Sequence, residues 1–350
     1  MSEVRNRLIR CLRDPCDKGP WSTDLLACAR NNRVHLLLAD RTRIAPLQAE
    51  LRAAMVVEAA RERELQQVLA ALARMGVRPV LLKGVVLART HFPRPELRPR
   101  TDTDLIVPTC ARDTTTRALL ELGYERVSET AGRLTTGQFH LHKNDAVGLF
   151  HALDVHCQIS NVRAFANVLN YEDLVRDARP VPSLGPHAWG PSPVHALLVA
   201  CVHRVAHHCN SDSLLWLLDV SLLARSLEPH ERDCFAELAG ARGIRAVCRN
   251  TLMLADAAFG CIGADWLESL LTETVEPTAA FLAGPMRQID VLKQDLLASP
   301  GLWQRVRIVG EHLFPSSSFM YERYGTRRKF KLPFLYAYRI LTGMPKWFRR

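Results

Sequence analysis

The tightest constraint in this sequence is a change of hydrophobic period at Gly76. From residue 22 to 76 apolar residues recur at spacings of three and four, as on one face of a helix. The pattern is clearest over 47–75, where Glu58, Arg61, Arg63 and Glu64 make a charged face. After Gly76 three short runs have strand character, at 77–82, 103–107 and 148–159. The first two runs are separated by a helical stretch at 85–91 and a loop of Pro93, Pro95 and Pro99 with Arg94, Arg98 and Arg100. A helix over 110–122 follows the second run. Residues 179–193 hold five prolines and two glycines, which break ladders and helices and mark a boundary. Beyond it helices are expected over 195–209, 213–227, 231–241 and 246–259, with a longer one over 278–297. The expectation is an α+β fold, a small mixed sheet core between helical segments. Its divisions are an N-terminal helical segment at 1–76, a core at 77–178, a linker at 179–193, a helical domain at 194–322 and a tail at 323–350.

The 350 residues are 48% hydrophobic, ample for a buried core. The net charge is +10, but residues 323–350 contain nine Lys or Arg and no acidic residue, leaving 10 − 9 = +1 for the rest. The near-neutral remainder argues against a general nucleic-acid coat, and attraction to polyanions or anionic lipid is expected at the tail. The ten cysteines lie in apolar helical patterns without a C-x-x-C pair, and read as buried thiols of a reducing cytosol. The first twenty residues are too charged for a signal peptide, and no apolar run reaches the roughly 18 residues needed to span a bilayer.

Asp102 and Asp104 are two apart at the start of an expected strand, so both carboxylates share a face. Two such charges in a partly buried site repel and stay ionised only beside a counter-charge such as Mg²⁺; the plainer reading is a solvated strand end. Lys83-Gly84 lies some twenty residues earlier, where a strand runs into a helix. Asp154 and His156 share one face of the third strand. Three strand carboxylates, a glycine at a helix start and an arginine loop are the parts of a two-metal nucleotidyl-transfer site.

The segment LLKGVVLARTHFPRPELRPRTDTDLIVP at 81–108 resembles the L-K-G … D-x-D-L motif of the uncharacterised nucleotidyltransferase family within the DNA polymerase β superfamily. GLFHALDVHCQIS at 148–160 is similar to that family's third-carboxylate strand, and HRVAHHCNSDSLLWLLDVSLLA at 203–224 to its H-x-x-x-H … W-L-x-D helices; LFPSSSFMYERYG at 313–325 continues the likeness. The resemblance covers most of 22–345 and implies a polymerase β-like core. It departs at the phosphate turn, where the superfamily usually has Gly-Gly or Gly-Ser and this chain has Lys83-Gly84, and at Cys157, where the family often has Trp.

The resemblance implies that Asp102 and Asp104 hold the Mg²⁺ bridging the phosphates of an NTP, and that both, with Asp154, hold a second Mg²⁺ activating an acceptor hydroxyl. Lys83, Gly84, Arg98 and Arg100 are implied as nucleotide-binding residues. Arg98 and Arg100 would neutralise charge on the leaving pyrophosphate, unless Glu96 ties one of them up in a surface pair. His156 either orients Asp154 or touches the acceptor, with a structural histidine equally open. His203 and His207 stand at i, i+4, but without H-E-x-x-H they are read for polar packing or acceptor contact ahead of zinc. Trp216 and Asp219 are read as helix packing and a capping or salt-bridge group. The implied activity is cytosolic transfer of a nucleoside monophosphate to a small molecule, glycan or peptide. The alternatives are a non-catalytic scaffold or antitoxin-like protein, and a polynucleotide end-extending enzyme. The tail suits nucleic acid, an anionic membrane, or packing of its aromatic residues on the body, the last slightly favoured.

Overall fold

A computed structural model describes residues 3–347 apart from 15–20, 43, 128–136, 261, 300 and 327. Cys16, Cys261, Arg327, Phe348, Arg349 and Arg350 therefore lie outside the described residues.

The chain opens with helices α1 (Glu3–Arg13), α2 (Thr23–Asn31), α3 (His35–Thr42) and the long α4 (Ala45–Arg74). The sheet region follows as β1 (Val80–Leu81), α5 (Gly84–Thr90), β2 (Thr103–Ile106), α6 (Arg112–Glu121), β3 (Glu125–Arg126), β4 (Gln138–Asn144) and β5 (Phe150–His156). Short helices α7 (Arg163–Ala166) and α8 (Tyr171–Arg176) lead to a two-stranded ladder of β6 (Arg179–Pro180) and β7 (Trp189–Gly190), built from the proline-rich stretch. The remainder is helical: α9 (Pro193–Val202), α10 (Leu214–Ser226), α11 (Pro229–Ala241), α12 (Arg245–Phe259), α13 (Ala264–Ser269), α14 (Gln288–Leu297), α15 (Leu302–Leu313), α16 (Ser317–Arg323) and α17 (Leu332–Trp347).

The five strands run in the order β1-β2-β5-β4-β3, with β2 and β5 parallel and all other pairs antiparallel. The fold is thus α+β, a small mixed sheet among helices. Leu81, Leu105, Phe139, Leu141, Leu153 and Val155 bury one sheet face against Leu65, Val68, Leu69 and Leu72 of α4 and Ala118 and Leu119 of α6. Strand alternation sends Asp104, Asp154 and His156 to the opposite face, toward α9 and α10. A second core joins α2 and α3 to Leu214, Leu215, Leu217 and Leu218 of α10, and a third fills the C-terminal helices.

Several sequence expectations are corrected. The helix expected over 278–297 is two elements, a 3₁₀ turn at Pro277–Ala283 and α14, because Gly284 at φ +91° and Pro285 interrupt it. The charged face of α4 is turned partly inward, since Glu58 and Glu64 are buried as partners for cations from the sheet region. Of the described cysteines, Cys11, Cys157, Cys201 and Cys248 are buried, Cys28 is intermediate, and Cys110, Cys209 and Cys234 are exposed. The hairpin strand β4 had no place in the sequence reading, although Phe139 and Leu141 alternate with His140 and His142.

Candidate active site

The site starts from strand register. In the parallel β2–β5 pair Asp104 lies directly beside Asp154, and Ile106 beside His156. Neighbouring parallel residues project to the same face, so two carboxylates separated by fifty residues of chain become adjacent. The ring of His156 is fully buried, and its Nε2 lies 3.0 Å from Asp104 Oδ1 and 3.3 Å from Asp154 Oδ2. Lys83 Nζ reaches the same Asp104 oxygen at 2.6 Å. His140, on β4 across from Asp154, brings Nδ1 to 3.3 Å from Asp154 Oδ1.

Lys83 closes β1 and caps α5 with φ +54° and ψ −125°. That is the first central position of a type II′ turn, a conformation glycine adopts freely and lysine does not. Lysine thus stands in a conformation that favours glycine. Gly84 has a different reason: a side chain there would collide with the guanidinium of Arg98.

Arg98 and Arg100 are both nearly buried, and each has a carboxylate. Arg98 donates from Nε and Nη2 to Asp219 on α10, at 3.0 and 2.6 Å. Arg100 donates from Nε and Nη2 to Glu58 on α4, both at 3.2 Å, and from Nη1 to the Asp102 carbonyl oxygen at 3.1 Å and to Thr103 Oγ1. Glu96 pairs with Arg94 instead. Asp219 is thus a salt-bridge group, as its position suggested.

Beyond α9 the chain makes a π turn, His203–His207. His203 and His207, at the two ends of this turn, line the same cavity as Asp102, Asp104 and Asp154, and π turns recur at functional positions. His208 stacks on Trp216 of α10 with centroids 3.8 Å apart, and its Nε2 is 3.0 Å from His203 Nε2. His207 Nε2 is 3.2 Å from Ser160 Oγ.

Lys83, Gly84, Arg98, Arg100, Asp102, Asp104, Asp154, His203 and His207, all singled out in the sequence, line one open cavity of about 280 Å³. His156 lies beneath it. Arg33, Thr101, His208 and Trp216 complete the wall and had no assigned role there. Trp216, read as helix packing, presents its ring to this cavity and to a smaller apolar one beside it.

The charges of the site are uneven. Burial would raise Asp104, but Lys83 and His156 outweigh it and hold the carboxyl far below its ordinary range. Asp154 is likewise lowered, because His156 overcomes its burial. Burial also opposes charge on His156, yet Asp154 and Asp104 push it up to about 9, making it an imidazolium at neutral pH. Asp102 is raised, first by burial and then by the charge of Asp104. The wall histidines stay neutral: burial, then Lys83, holds His203 well below the usual value, His207 at about 3 and His208 at about 4.

Asp104, Asp154 and His156 are, among the described residues, the group able to hold a metal ion, with ligand atoms within 4.8 Å of one another. Asp154 Oδ1 is buried and forms no hydrogen bond, its near neighbour being His140 Nδ1 at 3.3 Å, so a lone pair of this oxygen is left for a cation. The carboxylate oxygens suit a hard divalent ion such as Mg²⁺, whereas the His156 nitrogen suits it less and now serves as counter-charge.

A small mixed sheet carrying paired carboxylates on adjacent parallel strands, with basic groups around a cavity roofed by helices, defines a nucleotidyltransferase-type core. Residues 20–260 match the uncharacterised nucleotidyltransferase family, and the chain belongs to it. No curated protein matches the sequence.

Proposed function

We propose that this protein is a Mg²⁺-dependent nucleotidyltransferase that moves a nucleoside monophosphate from an NTP to a hydroxyl of a small-molecule, glycan or peptide acceptor, with release of pyrophosphate. The observation that carries this reading is the in-register pair Asp104–Asp154 on a cavity wall that also holds Lys83, in a chain of this family. Asp104 and Asp154, with Asp102 on the same wall, would hold the metal, which when bound neutralises phosphate charge and acidifies the acceptor hydroxyl.

The chain's own residues do the remainder. Lys83 Nζ sits on Asp104 in the absence of substrate and turns to a phosphate oxygen when NTP enters. Arg98 and Arg100, fixed by Asp219 and Glu58, face the cavity as preorganised cations and lower the cost of charge building on the leaving pyrophosphate. Asp154 is the carboxylate positioned to take the acceptor proton, and His156 orients it from below. Neutral His203, His207 and His208 with Trp216 offer an uncharged wall for the acceptor or the base.

Incubation with α-labelled NTPs, Mg²⁺ and cell extract is expected to release pyrophosphate and to label an acceptor fraction, and Asp154→Asn is expected to abolish both. Mg²⁺-dependent NTP binding by calorimetry tests the first half without any acceptor. Undiminished transfer by Asp154→Asn, or NTP binding indifferent to Mg²⁺, overturns the proposal.

A further inference from the structure

The aromatic residues of the C-terminal segment divide between two faces. Tyr336 turns inward, its hydroxyl donating to the Pro315 carbonyl oxygen at 2.6 Å and its ring meeting Phe314 at 5.5 Å. Trp347 packs edge-on to His312 at 5.6 Å. On the other side of α17, Phe334, Tyr338 and Leu341 are 75%, 58% and 68% exposed, and Phe330, just ahead of the helix, is 67% exposed. Packing of the tail aromatics on the body thus holds for Tyr336 and Trp347, whereas Phe330 and Phe334 stay exposed and Tyr338 meets Tyr324 edge-on at 6.0 Å while leaving more than half of its surface in water. Spacings of four and three place Phe334, Tyr338 and Leu341 in one stripe.

The solvent face of α17 carries no charge over 332–342: its exposed residues are Pro333, Phe334, Ala337, Tyr338, Leu341 and Thr342. The charge is gathered at the helix entrance, where Arg328, Lys329 and Lys331 are all exposed. From 323 to 350 there is no acidic residue to oppose them. A continuous apolar stripe in water is unfavourable unless something covers it, and the adjoining charge selects what does.

From this juxtaposition we infer that α17 lies flat on an anionic lipid bilayer. Phe334, Tyr338 and Leu341 enter the boundary between headgroups and acyl chains, while Arg328, Lys329 and Lys331 meet the lipid phosphates and carboxylates. Single-stranded nucleic acid would call for rings interleaved with cations along one groove. Here Phe330 lies between Lys329 and Lys331, but the stripe of Phe334, Tyr338 and Leu341 has no exposed cation within it, as an interface between water and hydrocarbon requires. No helix among the described residues is long and apolar enough to cross the membrane, so this attachment is peripheral. It stands apart from the reaction, since none of these residues lines the cavity at Asp104.

The test uses the full chain and sedimentation with vesicles of equal parts phosphatidylcholine and phosphatidylserine, beside vesicles of phosphatidylcholine alone. Binding is expected to the anionic vesicles, weakened more than about tenfold by the double variant Phe334→Ser/Tyr338→Ser and roughly tenfold or more by Lys329→Ser/Lys331→Ser. Both pairs are exposed, so the variants are expected to melt with the wild type. In a second measurement, Phe334→Trp gives a fluorophore whose emission should shift to the blue on anionic vesicles and be quenched by brominated acyl chains. Failure to bind anionic vesicles, full binding by Phe334→Ser/Tyr338→Ser, or preference for a homopolymeric RNA over the vesicles in competition would each overturn the inference.

Discussion

The carboxylate of Asp219 clasps the guanidinium of Arg98 through two nitrogens, at 3.0 and 2.6 Å, with both side chains almost wholly buried. The contact ties the arginine loop ahead of β2 to α10, a helix more than a hundred residues further along. It holds one cation of the cavity wall in a single position, which an exposed arginine would lose to rotamer freedom.

Because the pair is buried, removing one member strands the other. Asp219→Ala is expected to cost about 3–5 kcal/mol of stability, whereas the double variant Arg98→Met/Asp219→Leu should recover most of it. Urea unfolding of Arg98→Met, Asp219→Leu and the double variant closes the cycle. Nucleotidyl transfer should stay low in all three, separating the structural contribution of the pair from the catalytic one.

Asp102 and Asp104 should respond in opposite ways to loss of charge. Asp102 is raised by burial and by its neighbour, so Asp102→Asn should leave stability level or higher. Asp104 answers both Lys83 and His156, so Asp104→Asn leaves Lys83 without its carboxylate and His156 with Asp154 alone, and should lose about 3 kcal/mol. Both are expected to abolish transfer. Urea midpoints tell the two apart, and equal stability of the variants would contradict the charge assignment.

Lys83 occupies a glycine conformation, and a strained non-glycine backbone costs about 1–3 kcal/mol. Lys83→Gly should therefore be more stable than Lys83→Ala by an amount in that range, since both lose the contact with Asp104 and only glycine relieves the backbone. Both should weaken NTP binding alike. Thermal melts and calorimetric titration of the two variants give the comparison.

His207 and His208 set an acid limit. Their pKa values of about 3 and about 4 lie below the unfolded value near 6.5, so below that pH the unfolded chain binds more protons than the folded one. Stability then falls as pH drops from about 6.5 toward 4, each histidine contributing a slope approaching about 1.4 kcal/mol per pH unit. Depression of Asp104 and Asp154 adds to the loss only at still lower pH. His207→Gln should flatten the slope between pH 6 and 4, measured by urea unfolding across that range.

Reading the chain in order locates the residues whose type clashes with their setting. A carboxylate within an apolar strand, as at Asp104 and Asp154, is visible because period two shows which face it joins, and Lys83-Gly84 is visible as a break between strand and helix. What stays hidden is who answers whom. Glu58 and Asp219 look like ordinary charges on helix faces, and only the packing of α4 and α10 around the arginine loop turns them into the anchors of Arg100 and Arg98. The same holds for His140, whose value depends on β4 lying next to β5. The π turn at His203–His207 has no local composition cue, since valine, alanine and histidine suit a regular helix equally well. Contacts across long sequence separations are decided by which surfaces meet, and periodicity describes one element at a time.

The shared core of the first helices and α10 bears on how the polypeptide is made. Leu25, Leu36, Leu37 and Leu38 are covered in the finished fold by Leu214, Leu215 and Leu218, and Asn32 accepts through its side-chain oxygen from the backbone N–H of Leu214. At roughly 5–20 residues per second, synthesis leaves the α2–α3 leucines outside the ribosome for about ten seconds or more before their covering helix emerges. During that interval the nascent chain displays an apolar surface that its own later sequence will claim.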